Sequence, residues 1–600
     1  MPEYLAPGVY VEEVSFRSKS IEGVPTSTTG FAGLTRSGPV QYTDGPKASE
    51  PRLITSFTEF ESVYGGLEEL KINGGRLPFL AHAARAFFEN GGKRLYVSRV
   101  FAPAGGNGIA ARTITDGVTL TWRARWPGDA GNVHVETTPV RTRVTVSDTG
   151  GVIKVQRVRN GAVIEVLPAS TNPLPRPNEP LNTGALAVVT VDQDGNQTFN
   201  GTAPTATDQV VHLIELLVTV RHTNGRVDQY ADLAAHPSQT RHIGRVLEKH
   251  DPADENAAVW LDLSAAPGAT PVQLMTALTS ATAAGRLTGG NDGGPPSPTD
   301  LQGREADPDD PNIRATGLAA LGEINDIAIV AMPDAAKLGT EDEIFLATQA
   351  LVRHCDDLRY RIAVVDAPEA SSLNEIRKFR GKFDSKYAAI YHPWIEILDP
   401  TERPAQGRPP RRLLLPPSGF VTGIYARSDI ERGVHKAPAN EVVRGLTKFE
   451  ANINKARQDV LNPEGINALR FFEGRGNRVW GARTMSSDPE WKYVNVRRLF
   501  IYIEHSIDKG TQWAVFEPNG PRLWANIRQT IEDFLLVLWR DGALLGDKPE
   551  QAYFVRCDRT TMTQNDLDNG RLICLIGVAP VKPAEFVIFR IGQWTGDAKV

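Results

Sequence analysis

Between Ile327 and Tyr391, short apolar runs alternate with amphipathic stretches. This alternation limits the folds open to the chain more than any other feature. Ile327–Met332 is a continuous apolar run of strand length, Ile362–Val365 is a second and Ala388–Tyr391 a third. Between them the spacing predicts a helix over Asp342–Cys355, with Ile344, Leu351, Val352 and Cys355 on one side. A second helix is predicted over Ser371–Phe379, with Leu373 and Ile376 inward. Buried strands separated by helices imply a parallel sheet covered on both faces, because the crossover helices lie on those faces.

The chain has 600 residues, too many for one core at about 100–200 residues per domain. Its pattern suggests five segments. Residues 1–22 read as an arm: Val9, Tyr10, Val11 and Glu12 have strand period but little local core to join. Residues 23–102 open the α/β body, with β-α-α-β over 52–100, a capping box at Ser56-Phe57-Thr58-Glu59 and a helix stop at Asn90-Gly91. Residues 103–254 change to short Thr-, Val- and Gly-rich strands with one helix expected near Val210–Val220, the pattern of an inserted, mostly β domain at the periphery. Residues 255–474 complete the α/β body. Residues 475–600 form a small α+β unit. In it, strands are expected at Arg497–Glu504, Tyr553–Cys557, Leu572–Gly577 and Phe586–Ile591, with a tight turn at Asn569-Gly570 and a helix carrying Trp524, Ile527, Ile531, Phe534, Leu535 and Leu538.

Composition excludes some classes of function. The formal charge of −5 marks no general nucleic-acid binder. No apolar run reaches the roughly 20 residues of a membrane helix, so no membrane insertion is expected. Met1-Pro2-Glu3-Tyr4 has no basic or apolar leader pattern, so no signal peptide is expected. Three cysteines, Cys355, Cys557 and Cys574, supply no disulfide framework. Cys557 and Cys574 fall on neighbouring predicted strands and read as buried free thiols. The Gly289–Gly294 run lacks the Lys-Ser or Lys-Thr of a phosphate loop, and Gly91-Gly92-Lys93 ends a helix where a phosphate loop begins one. In His354-Cys355-Asp356-Asp357, adjacent residues of a helix point to different faces, so a metal site is not expected. No cofactor is expected.

The stretch Leu415–Val442, LPPSGFVTGIYARSDIERGVHKAPANEV, carries the strongest resemblance. It reads as a rigid loop, a short helix with a buried Tyr425, and a second loop, and it closely resembles the signature of contractile tail sheath proteins. The resemblance recurs at Tyr4–Glu13, Val24–Phe31, Leu287–Gly293, Ser385–Pro400, Phe516–Trp524 and Val578–Trp594, in one order. It covers roughly residues 1–102 and 255–600 and leaves 103–254 unmatched.

The resemblance implies an α/β plus β chain: a subtilisin-like α/β domain without a catalytic triad, the inserted domain, and the C-terminal unit with extended terminal arms. It implies a structural role in which copies stack as hexameric rings around an inner tube protein, meet baseplate and terminator proteins, and contract without nucleotide. Assembly in a bacterial cytoplasm and a place in a phage tail or injection particle go with it. Intersubunit strand pairing is expected at Val9, Tyr10, Val11 and Glu12 and at Phe586, Val587, Ile588 and Phe589, by β-augmentation. The alternative is a non-contractile particle component or surface-binding protein with 103–254 as its ligand-binding domain.

A subtilisin-like fold makes a serine hydrolase the rival. The chain has no G-x-S-x-G elbow and no Gly-Thr-Ser-Met run. Ser418 follows two prolines and reads as a structural turn, His392 as a core or interface histidine and Asp366 as a helix cap. The expectation is no enzyme. Ser418→Ala should change unfolding free energy by no more than about 0.5 kcal/mol in denaturant titrations, and labelling of Ser418 by a serine-reactive probe would contradict this reading.

Overall fold

The computed structural model describes residues 20–176, 178–402 and 409–590. Its centre is an eight-stranded sheet. In chain order the strands are β1 (Thr29–Leu34), β2 (Arg52–Ile54), β3 (Leu95–Val100), β4 (Ile329–Ala331), β5 (Ile362–Asp366), β6 (Ala388–His392), β7 (Ile466–Phe472) and β8 (Gly476–Trp480). The spatial order is β2-β3-β1-β4-β5-β6-β7-β8. The six inner strands are parallel, and β2 and β8 close the two edges antiparallel.

Every residue of β1, β4, β5 and β6 is buried. The pleat assigns alternate residues to two cores. Ile362 and Val364 face one with α1 (Phe57–Tyr64), α2 (Phe79–Glu89) and part of the signature helix; Ala363 and Val365 face the other with α3 (Glu341–Leu358) and α4 (Leu373–Arg380). The helices begin where local chemistry satisfies their first amides. Thr340 with Glu343 and Ser372 with Glu375 form reciprocal capping boxes. Ser56 accepts from the Glu59 amide as expected, but Glu59 reaches back to Thr55.

The signature stretch folds as α5 (Ser418–Arg432), four turns long where a short helix was expected. Residues 418–428 are buried without a break, which demands close neighbours on all sides. Gly419 and Gly423, one turn apart, provide the closest approach. A Cβ on Gly419 would lie 2.4 Å from Ala83 Cα, and one on Gly423 would lie 2.5 Å from the Phe87 carbonyl oxygen, both on α2. The loop after α5 then covers the β8 edge. The Asn440 amide donates to the Val479 carbonyl at 2.7 Å, the Val479 amide to Glu441 and the Val443 amide to Asn477, both at 3.0 Å. An otherwise open sheet edge is thereby closed.

A second, antiparallel sheet runs Gln197–Gly201, Leu186–Val191, Ala162–Leu167, Val210–Arg221, His134–Val144 and Gly285–Arg286, with Val227–Leu233 added alongside Val210–Arg221. The helix expected near Val210–Val220 is thus a strand. Ile214, Leu216, Val218 and Val220 face one core at period 2, and the density of β-branched residues outweighs the helix-favouring Leu and Glu. The packing also runs past residue 254. Val259–Asp262 pairs with Val118–Ala124, and Leu274, Met275 and Leu278 of the helix Pro271–Thr279 enter the same core.

This region is stitched to the central body by a polar seam. Asp292, in the glycine-rich loop, accepts from the Lys71 and Asp129 amides, each at 2.8 Å. Buried Arg99 donates to the Gly38 and Pro127 carbonyls at 3.0 and 2.7 Å. Arg226 reaches the Ser62 carbonyl at 2.9 Å.

In the last unit, Arg497–Glu504 was expected as a strand and lies inside α6 (Val494–Thr511). The error has a physical source: α6 sits at a junction and is buried on several sides. Val494 enters one core of the central sheet, Ile501 the other, and Leu499 and Ile503 the C-terminal core. Its buried residues also include Asn495, Arg497, Arg498 and His505, so polar side chains interrupt the apolar stripe that would mark a helix. Next comes α7 (Pro521–Arg540), which buries Trp524, Ile527, Ile531, Phe534, Leu535 and Leu538 as its spacing predicts. Tyr553–Arg556 pairs antiparallel with Leu575–Val578. The turn expected at Asn569-Gly570 is present, but it ends a short helix, Gln564–Asp568, capped by Thr563, instead of joining the two strands directly. Residues 586–590 are not in a strand, and Ile591 lies outside the described residues.

Alanine has a better helix propensity than glycine by about 1 kcal/mol, so Gly423→Ala would stabilise an exposed helix. Here the added methyl meets backbone, and overpacking of about 1–3 kcal/mol should dominate. The expected result is a net loss of stability, read as a lower denaturant midpoint.

Candidate assembly interface

The site begins where β5, β6 and α5 meet. Asp366 ends β5 and caps α5, accepting from the Ser418 amide at 2.6 Å. Burial pushes its carboxyl up to about 7, against the pull of the Ser418 bond. His392 ends β6, and burial pushes its imidazole down to about 4. The Ser418 hydroxyl is fully buried, and His392 Nδ1 has no hydrogen-bond partner among the described residues. Nucleophilic catalysis needs a base in reach of the hydroxyl and a path for the substrate. This hydroxyl lies beside the Asp366 carboxyl and is sealed from solvent. Asp366 caps α5, His392 sits in the core, and Ser418 is the first residue of α5, where a turn was expected.

One turn further, the Tyr425 and Tyr391 hydroxyls share a hydrogen bond of 2.6 Å. Arg498, on α6, lies over the Tyr425 ring at 4.9 Å and forks onto Asp429 of α5 at 2.8 and 2.6 Å. It also donates to the Thr26 carbonyl at 3.0 Å. Both charged groups are almost wholly buried. One guanidinium therefore joins the signature helix, the C-terminal unit and the segment leading into β1.

Both ends of the described chain lie against this unit. Ile21 packs in the C-terminal core, and the Val24 amide donates to Ser506 on α6 at 3.1 Å. At the other end, Glu585 anchors the tail. It accepts from Arg483 Nε and Nη2 at 2.8 and 2.7 Å, Asn462 at 2.7 Å and the Tyr493 hydroxyl at 3.0 Å. Burial alone would raise its carboxyl, but the Arg483 fork and the two neutral donors hold it below the usual range.

Immediately after this anchor come Phe586, Val587, Ile588 and Phe589, exposed by 70, 68, 79 and 83 %. Phe586 and Val587 line a groove of about 1070 Å³ whose walls include Lys436, Arg470, Phe472, Trp480 and Arg483. Among the described residues, ten of the twenty exposed large apolar side chains lie from Val515 onward, including Phe516, Val537, Leu545 and Phe554, so the unpartnered apolar surface concentrates in this unit.

The other expected pairing residues, Val9, Tyr10, Val11 and Glu12, lie outside the described residues. The Glu585 anchor was not anticipated. A single carboxylate between Pro583-Ala584 and an apolar run carries no period, and its partners come from three distant segments. The Arg498–Asp429 pair was hidden for the same reason.

Two family models match this half of the molecule end to end: the phage tail sheath protein central domain over residues 312–485 and the phage tail sheath C-terminal domain over residues 486–593. The chain belongs to the phage tail sheath family. A prophage protein of Pseudomonas aeruginosa strain UCBPP-PA14, named for a major tail sheath, is 25 % identical over 260 residues, 41 % of this chain and 63 % of that relative. The tail sheath protein of Escherichia phage P2 is 27 % identical over 248 residues, 40 % of this chain and 58 % of the relative. The chain thus spans less than two thirds of these relatives' lengths.

Among solved structures, the anti-feeding prophage helical sheath in its contracted state superposes with a TM-score of 0.51 at 21 % identity, over 98 % of this chain and 100 % of that one. A sheath tail protein from Listeria innocua gives a TM-score of 0.51 at 12 % identity, over 94 % and 96 %. At these identities the likeness establishes the sheath-protein fold, mixed α/β with several sheets. The family is one of structural sheath proteins, and these relatives do not favour a ligand-binding surface protein.

Glu585→Gln keeps the shape of the anchor and removes its charge. Losing a half-buried charged partner should cost about 1–3 kcal/mol of tail docking. A carboxyl held low stabilises docking above its unfolded value of 4.5 and loses that contribution as pH falls through the lower folded value. Amide exchange over 580–587 should therefore rise in the variant at pH 7, and in the native chain only under acid conditions.

Proposed function

We propose that this chain is the repeating subunit of a contractile sheath, polymerising as hexameric rings around an inner tube and contracting to drive that tube through a target envelope. The observation that carries the proposal is the tail. Four consecutive apolar residues, Phe586–Phe589, stand exposed directly after a four-donor anchor at Glu585, beside a groove with aromatic walls. Exposed apolar runs of strand length mark interaction sites, and strand addition between copies would cover both faces while its main-chain bonds set the register.

In this reading the segments divide the work. Residues 1–22, with Val9, Tyr10, Val11 and Glu12, form one exchanged arm, and Phe586, Val587, Ile588 and Phe589 form the other. Residues 23–102 and 255–474 make the α/β body, the counterpart of the subtilisin-like domain that the sequence resemblance implies, without its catalysis. Residues 103–254 lie at the periphery. The unit 475–600 faces the inner tube and carries the shared sheet. Baseplate and terminator proteins would cap the two ends. Heterologous contacts of this type propagate into open helical assemblies, and contraction would be a rotation and repacking of bodies that stay joined through their arms. Assembly would take place in a bacterial cytoplasm before incorporation into a tail or injection particle.

Electron microscopy of the purified chain tests the proposal. Striated tubes of constant diameter are expected. Ile588→Pro, which removes one ladder donor, should abolish tubes while circular dichroism and melting of the subunit stay unchanged. Normal tubes from that variant would contradict the arm assignment.

A further inference from the structure

The hairpin of the C-terminal unit ends in two cysteines that face each other. Its ladder pairs Tyr553 with Val578 through Arg556 with Leu575, so the next rung, one residue beyond the ladder, sets Cys557 opposite Cys574. Both thiols are free, and each lies close enough to shift the other's titration. Directly opposed residues of an antiparallel pair have Cα atoms about 4.5–5.5 Å apart, inside the 4.4–6.8 Å span a disulfide requires. The third cysteine, Cys355, is sealed in the core of α3 and has no such partner.

We propose that Cys557 and Cys574 are an oxidisable dithiol that closes into an intramolecular cross-strand disulfide when the subunit meets a low-molecular-weight disulfide. The inference rests on the hairpin geometry alone and is independent of the sheath assignment. Cys574 is the more exposed of the two, and Cys557 is buried beneath it. The first step is attack of the Cys574 thiolate on one sulfur of the external disulfide. A mixed disulfide forms and one external thiolate leaves. The Cys557 thiolate then attacks the Cys574 sulfur, forms the internal bond and expels the second external thiolate. Each cysteine loses one proton, and the external disulfide takes up the two electrons.

Burial holds both thiols above their ordinary value, Cys574 at about 12. The thiolate is the attacking species, so closure should be slow at neutral pH and accelerate as pH rises. A dithiol of this kind stays open in a reducing compartment and closes in an oxidising one. Closure would tie the ends of the excursion 558–573, which holds the short helix Gln564–Asp568, and lock the rung beside the strand that presents Phe554.

The test uses the full chain incubated with oxidised glutathione at pH 7 and pH 9, alkylated and digested. Mass spectrometry should find a Cys557–Cys574 crosslinked peptide, two mass units lighter than its reduced parts, formed faster at pH 9, with Cys355 alkylated. In Cys557→Ser, where nothing can resolve the first step, a glutathione adduct should accumulate on Cys574. Two alkylated cysteines at 557 and 574 in the native chain, a persistent glutathione adduct there, or a disulfide between chains would overturn the proposal.

Discussion

The Arg498 guanidinium is the point on which the rest of the structure depends. Its fork onto Asp429 is buried on both sides, and the same group stacks on Tyr425 and holds the Thr26 carbonyl. A buried ion pair of this kind contributes little net stability against a well-packed apolar alternative, but removing one partner strands the other charge at a cost of about 3–5 kcal/mol. Its value is in specifying geometry. It fixes α6 against α5, and with α6 the whole C-terminal unit against the central sheet.

The signature helix explains why such a pin is possible. The parallel sheet needs cover on both faces, and α5 supplies it at the strand ends, capped by Asp366 and pressed onto α2 through Gly419 and Gly423. Because the glycines carry no side chains, the helices approach until backbone meets backbone, and no slack is left for α5 to slide. The loop that follows seals the β8 edge with main-chain bonds. The body therefore exposes no long edge of its own central sheet at that side, and the unpartnered apolar surface is concentrated at the C-terminal unit.

Much of this was legible in sequence. The parallel α/β core followed from continuous apolar strands at Ile362–Val365 and Ala388–Tyr391, because burial on both faces leaves no other pattern. The helix around Trp524–Leu538 followed from its 3.6 period. What failed was local pattern under tertiary override. Val210–Arg221 mixes Leu and Glu with β-branched residues and was decided by cross-strand partners. The helix α6 was hidden because three cores draw on its sides. Beyond residue 254 the chain continues to pack with the inserted strands: Val259–Asp262 pairs with Val118–Ala124, more than a hundred residues away, which leaves no local trace. At the candidate interface the apolar run 586–589 was visible, whereas its anchor was not: Arg483, Asn462 and Tyr493 converge on Glu585 only in three dimensions.

Among the described residues, the tail 586–590 pairs with no strand, and the proposed sheath supplies its partner from another copy. Amide hydrogen exchange over residues 586–590 measures this directly, in the isolated subunit and in purified tubes. Exchange near the rate of an unprotected chain in the subunit, slowed a hundredfold or more in the tubes, is the predicted result; a hundredfold corresponds to about 2.7 kcal/mol of protection. Equal exchange in the two states, or a tail already protected in the isolated subunit, would contradict it.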